Sequence, residues 1–159
     1  MNNLSTYIIE KLKKISSKNV GKQYNYCPKT RRDLINIIDK LLEERGNEAD
    51  LNDIDTSKIT TMYNVFKNSD FDGDISDWDV SNVTSMVSMF DNSKFTGKNG
   101  DISNWDVSNV GHMAWMFYKS SFNGNIDNWK ISDFCDVYHM FLKCPLEKKL
   151  PKWWKGARA

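Results

Sequence analysis

The sequence predicts an α/β solenoid of four short strand-helix units, covered at one end by two helices and at the other by an aromatic tail. Three observations carry this. The stretch "WDVSNVTSMVSMF", Trp78 to Phe90, returns 27 residues later as "WDVSNVGHMAWMF", Trp105 to Phe117, with nine of thirteen letters unchanged. Fainter copies flank the pair, so that Phe66, Phe90, Phe117 and Phe141 mark a register with steps of 24, 27 and 24. Before the repeats, apolar residues recur at helical spacing. A fixed period in the twenties marks units that bury little alone and form one continuous core when stacked, and 159 residues suit one compact domain.

The elements follow in chain order. Leu4, Tyr7, Ile8, Leu12 and Ile15 predict a short amphipathic helix over residues 4–16. A second helix starts after Pro28, where Thr30 and Asp33 fit a capping box. Leu34, Ile35, Ile37, Ile38, Leu41 and Leu42 form its apolar face, and Gly46 ends it. These helices make an N-terminal cap, residues 1–48. The four units occupy 49–146, beginning at Leu51, Ile75, Ile102 and Ile126. Ile75, Trp78, Val80 and Val83 follow the L-x-x-L-x-L-x-x-L spacing of a leucine-rich-type turn, which predicts a right-handed solenoid with a short parallel strand near Trp78–Val80. Ser81 is then expected to cap a short helix, with Val83, Met86, Met89 and Phe90 on its inner side. The three extra residues of the second unit fall at Lys98–Gly100, in a glycine turn where insertion costs little. Residues 147–159 form a C-terminal cap, with Leu150, Trp153 and Trp154 as an apolar plug.

Charge is uneven along the chain. Residues 1–48 hold ten Lys/Arg against six Asp/Glu (+4). Residues 49–142 hold six Lys against fourteen Asp (−8), and residues 143–159 hold six Lys/Arg against one Glu (+5). Such a distribution speaks to partners, not to fold. Three cysteines (Cys27, Cys135, Cys144) without a CxxC pair give neither a disulfide framework nor a zinc signature. They suggest a reducing compartment, with Cys135 and Cys144 as small core residues. The N-terminus lacks the apolar run of a signal peptide, and no stretch of 18 apolar residues exists. A cytoplasmic location is the expectation.

Units of the form W-D-V-S-N-V-x-x-M-x-x-M-F followed by F-N-G-N/D-I resemble the bacterial 25-residue surface-protein repeat (BspA-like), over residues 51–146. The resemblance implies a leucine-rich-repeat-like fold and a binding role without catalysis. The residues read alone agree with the second point. Asp79-x-Ser81 and Asp106-x-Ser108 lack a recurring base, since the only histidines, His112 and His139, appear in single units. "DFDGDISDWD" (Asp70 to Asp79) departs from a calcium loop at its glycine and at position twelve. The regularly spaced methionines read as core, and no cofactor or metal is expected.

Function is then sought where the units differ. On the predicted helix face, the third and fourth units gather His112, Trp115, Tyr118, Tyr138 and His139, against Ser88 and Asp91 in the second. Exposed Trp and Tyr commonly anchor protein interfaces. On the predicted strand face, Asp53, Asp55, Asp77, Asp79, Asn104 and Asp106 form an acidic ladder suited to a protein with a basic surface. The expectation is a non-catalytic protein-binding module, an intracellular inhibitor or adaptor, with no small-molecule substrate and no membrane. Its narrower form, resting on the Lys/Asn/Ile/Asp-rich usage of an AT-rich genome, is a phage-encoded inhibitor of a bacterial defence nuclease such as a CRISPR effector. Two alternatives stand beside it. One is a cell-surface adhesion-type repeat protein. The other is a nucleic-acid binder using Lys11, Lys13, Lys14, Lys148, Lys149 and Lys152, with Trp153 and Trp154 for base stacking.

Overall fold

The structure is a computed structural model that describes residues 22–156. The helix predicted over residues 4–16 lies outside them. The second predicted helix forms as α1, Arg31–Arg45. The Thr30 side chain accepts from the Asp33 amide, and the Asp33 carboxylate accepts from the Thr30 amide. Gly46 stops the helix at φ 81°, with its amide on the Leu42 carbonyl. Leu34, Ile38 and Leu41 are buried against the first unit, and Ile35, Ile37 and Leu42 flank them.

The α/β solenoid of strand-helix units does not form. Among the described residues α1 is the one α-helix, a single 3-10 turn follows at Pro145–Lys148, and strand pairing is limited to five isolated parallel bridges. The expected helix from Ser81 to Phe90 is a row of turns instead. Ser88 and Asn92 have φ of 52° and 53°, and the same left-handed values recur four residues apart in every unit: Asn64 and Asn68, Trp115 and Lys119, His139 and Lys143. A right-handed helix cannot pass through such residues. The amides also point elsewhere. Met62, Asn64, Phe66 and Asn68 donate to the carbonyls of Ser85, Val87, Met89 and Asp91 in the next unit. Met86, Ser88, Phe90 and Asn92 donate likewise to His112, Ala114, Met116 and Tyr118, and Met113, Trp115, Phe117 and Lys119 to Asp136, Tyr138, Met140 and Leu142. Backbone hydrogen bonds that an i→i−4 helix would keep within one unit are spent between units.

The expected strand near Trp78–Val80 is likewise two corners. Trp78 donates back to the Ile75 carbonyl and Val83 to that of Val80. An Asp or Asn side chain folds each corner by accepting an amide two residues on. Asp74 takes Ser76, Asp79 takes Ser81, Asp101 takes Ser103 and Asp106 takes Ser108. The Asn of "SNV" then ties the units together: Asn82 donates to the Ser57 carbonyl at 2.8 Å and Asn109 to the Ser81 carbonyl at 2.7 Å. Glycine serves where two turns touch. A Cβ on Gly73 would sit 2.0 Å from the Ala49 carbonyl oxygen, and one on Gly100 would sit 2.9 Å from that of Gly73. Gly100 thus stacks on Gly73, and the three extra residues fall just before it.

The core is a set of ladders along the stack. Phe66, Phe90, Phe117 and Phe141 stack nearly parallel at 5.5, 5.4 and 6.0 Å. Phe71, Phe95 and Phe122 make a second column at 6.0 and 5.8 Å. The indole N–H of the Trp near the start of each of units two to four donates to a carbonyl of the preceding unit: Trp78 to Leu51, Trp105 to Ile75 and Trp129 to Ile102. Trp153 repeats this, donating to Ile126 at 2.7 Å. The tail is therefore the opening of a fifth unit, with Leu150 and Trp153 in the register of Ile126 and Trp129. Trp153 and Trp154 close over Phe141, whereas Leu150, the third residue of the expected plug, is 44% exposed. Among the described residues no helix is long and apolar enough to cross a membrane.

Candidate functional site

The outer row of turns carries the residues by which the units differ. Its left-handed position is held by Asn64, Ser88, Trp115 and His139 in successive units. Asparagine tolerates that backbone; a bulky aromatic there is a strained outlier of order 1–3 kcal/mol. Ser88 is buried at 8% exposure, whereas Trp115 stands 37% exposed. Tyr138, one residue before His139, is 43% exposed. Trp115 and Tyr138 meet edge to face, with ring centroids 5.3 Å apart and planes at 85°, and the His139 ring lies 3.9 Å from that of Tyr138. Three of the five residues expected on this side thus form one aromatic edge.

The other two sit beside it. His112 is exposed, and its backbone bridges Ser85 on one side and Asp136 on the other. Tyr118 is half-buried under the Lys119 ammonium, 5.1 Å from its ring centre. Tyr63, which occupies the register of Tyr138 in the first unit, is 45% exposed with Arg31 against its ring. That guanidinium lies 4.4 Å from the Tyr63 ring centre and donates from Nε to the Tyr63 carbonyl.

Phe134 is the residue that sequence reasoning missed. It holds the register of Val83 and Val110, both buried, yet it is 94% exposed. In the third unit the Val110 amide closes a turn on Val107; in the fourth, Cys135 closes the same turn on Ser132. This one-residue slip puts Cys135 in the core and Phe134 in solvent. Burial pushes the Cys135 thiol up to about 11, so it stays protonated. Cys144 is raised by burial too.

The acidic residues are placed on corners, not on a strand face. Asp55, Asp79 and Asp106 each accept the amide of a Ser two residues on. Asp53 is clamped by Arg45, whose two Nη atoms reach its two oxygens at 3.0 and 2.9 Å, with Asn25 donating from the other side. The Arg45 hydrogen bonds hold its carboxyl below the ordinary range. Asp77 is exposed and pairs with Lys22 at 2.7 Å. Asp50, Asp53, Asp74 and Asp77 line a shallow depression of about 370 Å³ together with Lys22. Among the described residues no group of three or more His, Cys, Asp or Glu is placed to hold a metal.

At the basic end, Trp153 and Trp154 face Phe141. Lys152 pairs with Asp127 and Lys155 with Asp133. The indoles expected to stack on bases are thus engaged with the protein's own core.

No curated protein and no solved structure gives a significant match to the chain. A family model does: residues 36–153 match the one described as Mycoplasma protein of unknown function, DUF285. The match runs from residue 36, inside α1, through all four units to the Trp153 that opens the fifth, and the chain belongs to that family.

Proposed function

We propose that the chain is a non-catalytic protein-binding module and that the aromatic edge of Trp115, Tyr138 and His139 is its recognition surface. One observation carries the reading: an exposed Trp occupies a left-handed position that the first two units fill with Asn64 and a buried Ser88. Nothing in the scaffold requires an aromatic ring there, and strain of this kind is retained where it serves recognition. The edge-to-face pair supplies rigid apolar area with a polar rim, the composition of interface hot spots. Phe134 extends the exposed aromatic surface of the fourth unit. The recurring Asp-x-Ser pairs are corner chemistry, which leaves them no role as nucleophiles in this reading. The resemblance of the units to the BspA-like surface repeat supports a binding role as well.

The test is affinity purification of the tagged protein from its native host, with quantitative mass spectrometry against the Trp115→Asn and Tyr138→Ala variants. A partner that binds wild type and is weakened roughly thirtyfold by either substitution (about 2 kcal/mol) is the expected result. If both variants fold and hold every wild-type partner with unchanged affinity, the aromatic edge is not the recognition surface.

A further inference from the structure

Three steps of the chain join Asp or Asn to Gly: Asp72–Gly73, Asn99–Gly100 and Asn123–Gly124. Such a step can close on itself. The glycine nitrogen attacks the side-chain carbonyl carbon of the residue before it and forms a five-membered succinimide, since no Cβ shields that nitrogen. None of the three glycine amides has an acceptor among the described residues. What separates the steps is how the fold holds the side chain and how much room the glycine has.

Two of them are locked. The Asp72 carboxylate accepts from the Thr96 amide at 2.7 Å and from the Thr96 hydroxyl at 2.8 Å. A Cβ on Gly73 would lie 2.0 Å from the Ala49 carbonyl oxygen. Asn99 donates from Nδ2 to the Asp72 carbonyl at 2.7 Å. Gly100 is buried, and a Cβ there would lie 2.9 Å from the Gly73 carbonyl oxygen and 3.0 Å from the backbone of Asp74 and Ile75. In either place ring closure must break a short hydrogen bond and turn a peptide that is pressed against another segment. Asn123–Gly124 has neither restraint. Asn123 is exposed, and although its amide donates to the Thr96 carbonyl at 3.1 Å, its side chain has no hydrogen-bond partner among the described residues. The nearest atoms to a Cβ on Gly124 all belong to the Phe122 ring, two residues back in the same segment.

From this contrast we infer that Asn123 is a site of intramolecular modification: in the folded protein it deamidates, while Asn99 is preserved. A bond forms between the Gly124 nitrogen and Asn123 Cγ. The bond from Cγ to Nδ2 breaks, and Nδ2 leaves as ammonia with the proton that the Gly124 nitrogen gives up. Water then opens the imide. Attack at Cγ restores the ordinary main chain and gives an aspartyl residue; attack at the main-chain carbonyl gives an isoaspartyl residue, with one extra methylene in the backbone. No oxidant or reductant is consumed. Either product replaces the amide by a carboxylate, which lowers the net charge of the chain by one from +1. The isoaspartyl form also lengthens the backbone beside the bond that ties Asn123 to Thr96 of the preceding unit.

The test incubates the folded full chain at mildly alkaline pH in heavy-oxygen water. Peptides are then mapped by mass spectrometry, with fragmentation that separates aspartyl from isoaspartyl residues. Asn123 should become a mixture of the two, each carrying a heavy oxygen, at roughly ten times the rate of Asn99, the factor that one broken hydrogen bond sets. Asp72 should gain no isoaspartyl linkage over the same period. In denaturant, where these restraints are gone, Asn99 and Asn123 should convert at similar rates, because each precedes a glycine. Asn123→Gln, whose longer side chain must close a larger ring, should nearly stop conversion at that position. The inference is overturned if Asn123 stays intact in the folded chain, or if Asn99 converts as fast as Asn123 there. It is also overturned if the product at Asn123 is aspartyl alone, the mark of direct hydrolysis without an imide.

Discussion

The second and third units share nine of thirteen letters over their central block and differ in what they show to solvent. On the inside they are interchangeable. Phe90 and Phe117 are both fully buried, each stacked on its neighbours at similar spacing, and Met86 and Met113 begin equivalent rows of donors. On the outside the second unit places Ser88 at the left-handed position and buries it, while the third places Trp115 there and exposes it. One scaffold thus accepts two outer residues of very different size, because both join the ladders through their amides and not their side chains. The inner letters recur because each is bonded or buried by the unit beside it; the outer letters are released from that constraint.

The strongest way to break the comparison is through the inner column. Phe90→Ala and Phe117→Ala should each destabilise the fold by about 3–5 kcal/mol in urea unfolding. The two values should agree within about 1 kcal/mol if the units are equivalent inside. A large difference would mean that the stack is not uniform. A smaller effect tests the ties between units. Asn82→Ala and Asn109→Ala each remove a side-chain bond to the preceding unit. Each should cost about 1 kcal/mol by the same measurement, again equally. The smallest effect sharpens the contrast outside. Trp115→Asn relieves a left-handed aromatic worth about 1 kcal/mol and forfeits an edge-to-face contact of about the same size. Stability should therefore stay within about 0.5 kcal/mol of wild type, even as partner binding is lost. A strongly destabilised Trp115→Asn would show that the Trp is structural.

Much of this was legible in the residues. Thr30, Asp33 and Gly46 mark the ends of α1 because capping is local chemistry. Ile75, Trp78, Val80, Val83, Met86, Met89 and Phe90 were all expected inside and are. What the apolar pattern could not separate was a helix from a run of turns. Positions at i, i+3, i+6 and i+7 face inward in either, since a turn row that reverses every four residues keeps nearly the helical phase. Asparagines at 64, 68 and 92, four or twenty-four residues apart, were the available signal, as Asn is the ordinary non-glycine residue at positive φ. The strand reading failed on the same ground: Asp79 and Asp106 are corner residues. Leu150-x-x-Trp153 matches Ile126-x-x-Trp129 in plain letters, a signal that the reading of residues 147–159 as a cap passed over. The slip at Phe134 left no such trace, because Phe fits a buried slot by type and only the backbone of the fourth unit reveals that Cys135 fills it.

The ladders between units also bear on how the chain reaches its folded state. Each unit-to-unit bond of the rows joins residues 23 or 26 positions apart, so every layer requires a loop closure of nearly the same length. Closing 27 residues rather than 24 costs only about 0.1 kcal/mol more, so the longer second unit is no kinetic obstacle. The difficult event is bringing the first two units into register, since a lone row of turns has no acceptors. Once that pair exists, each further unit adds to a formed edge at a similar entropic cost and gains a full set of bonds and a ring contact. Folding then spreads outward from any adjacent pair, as in other linear repeat arrays. The middle units, flanked on both sides, are the last to come apart.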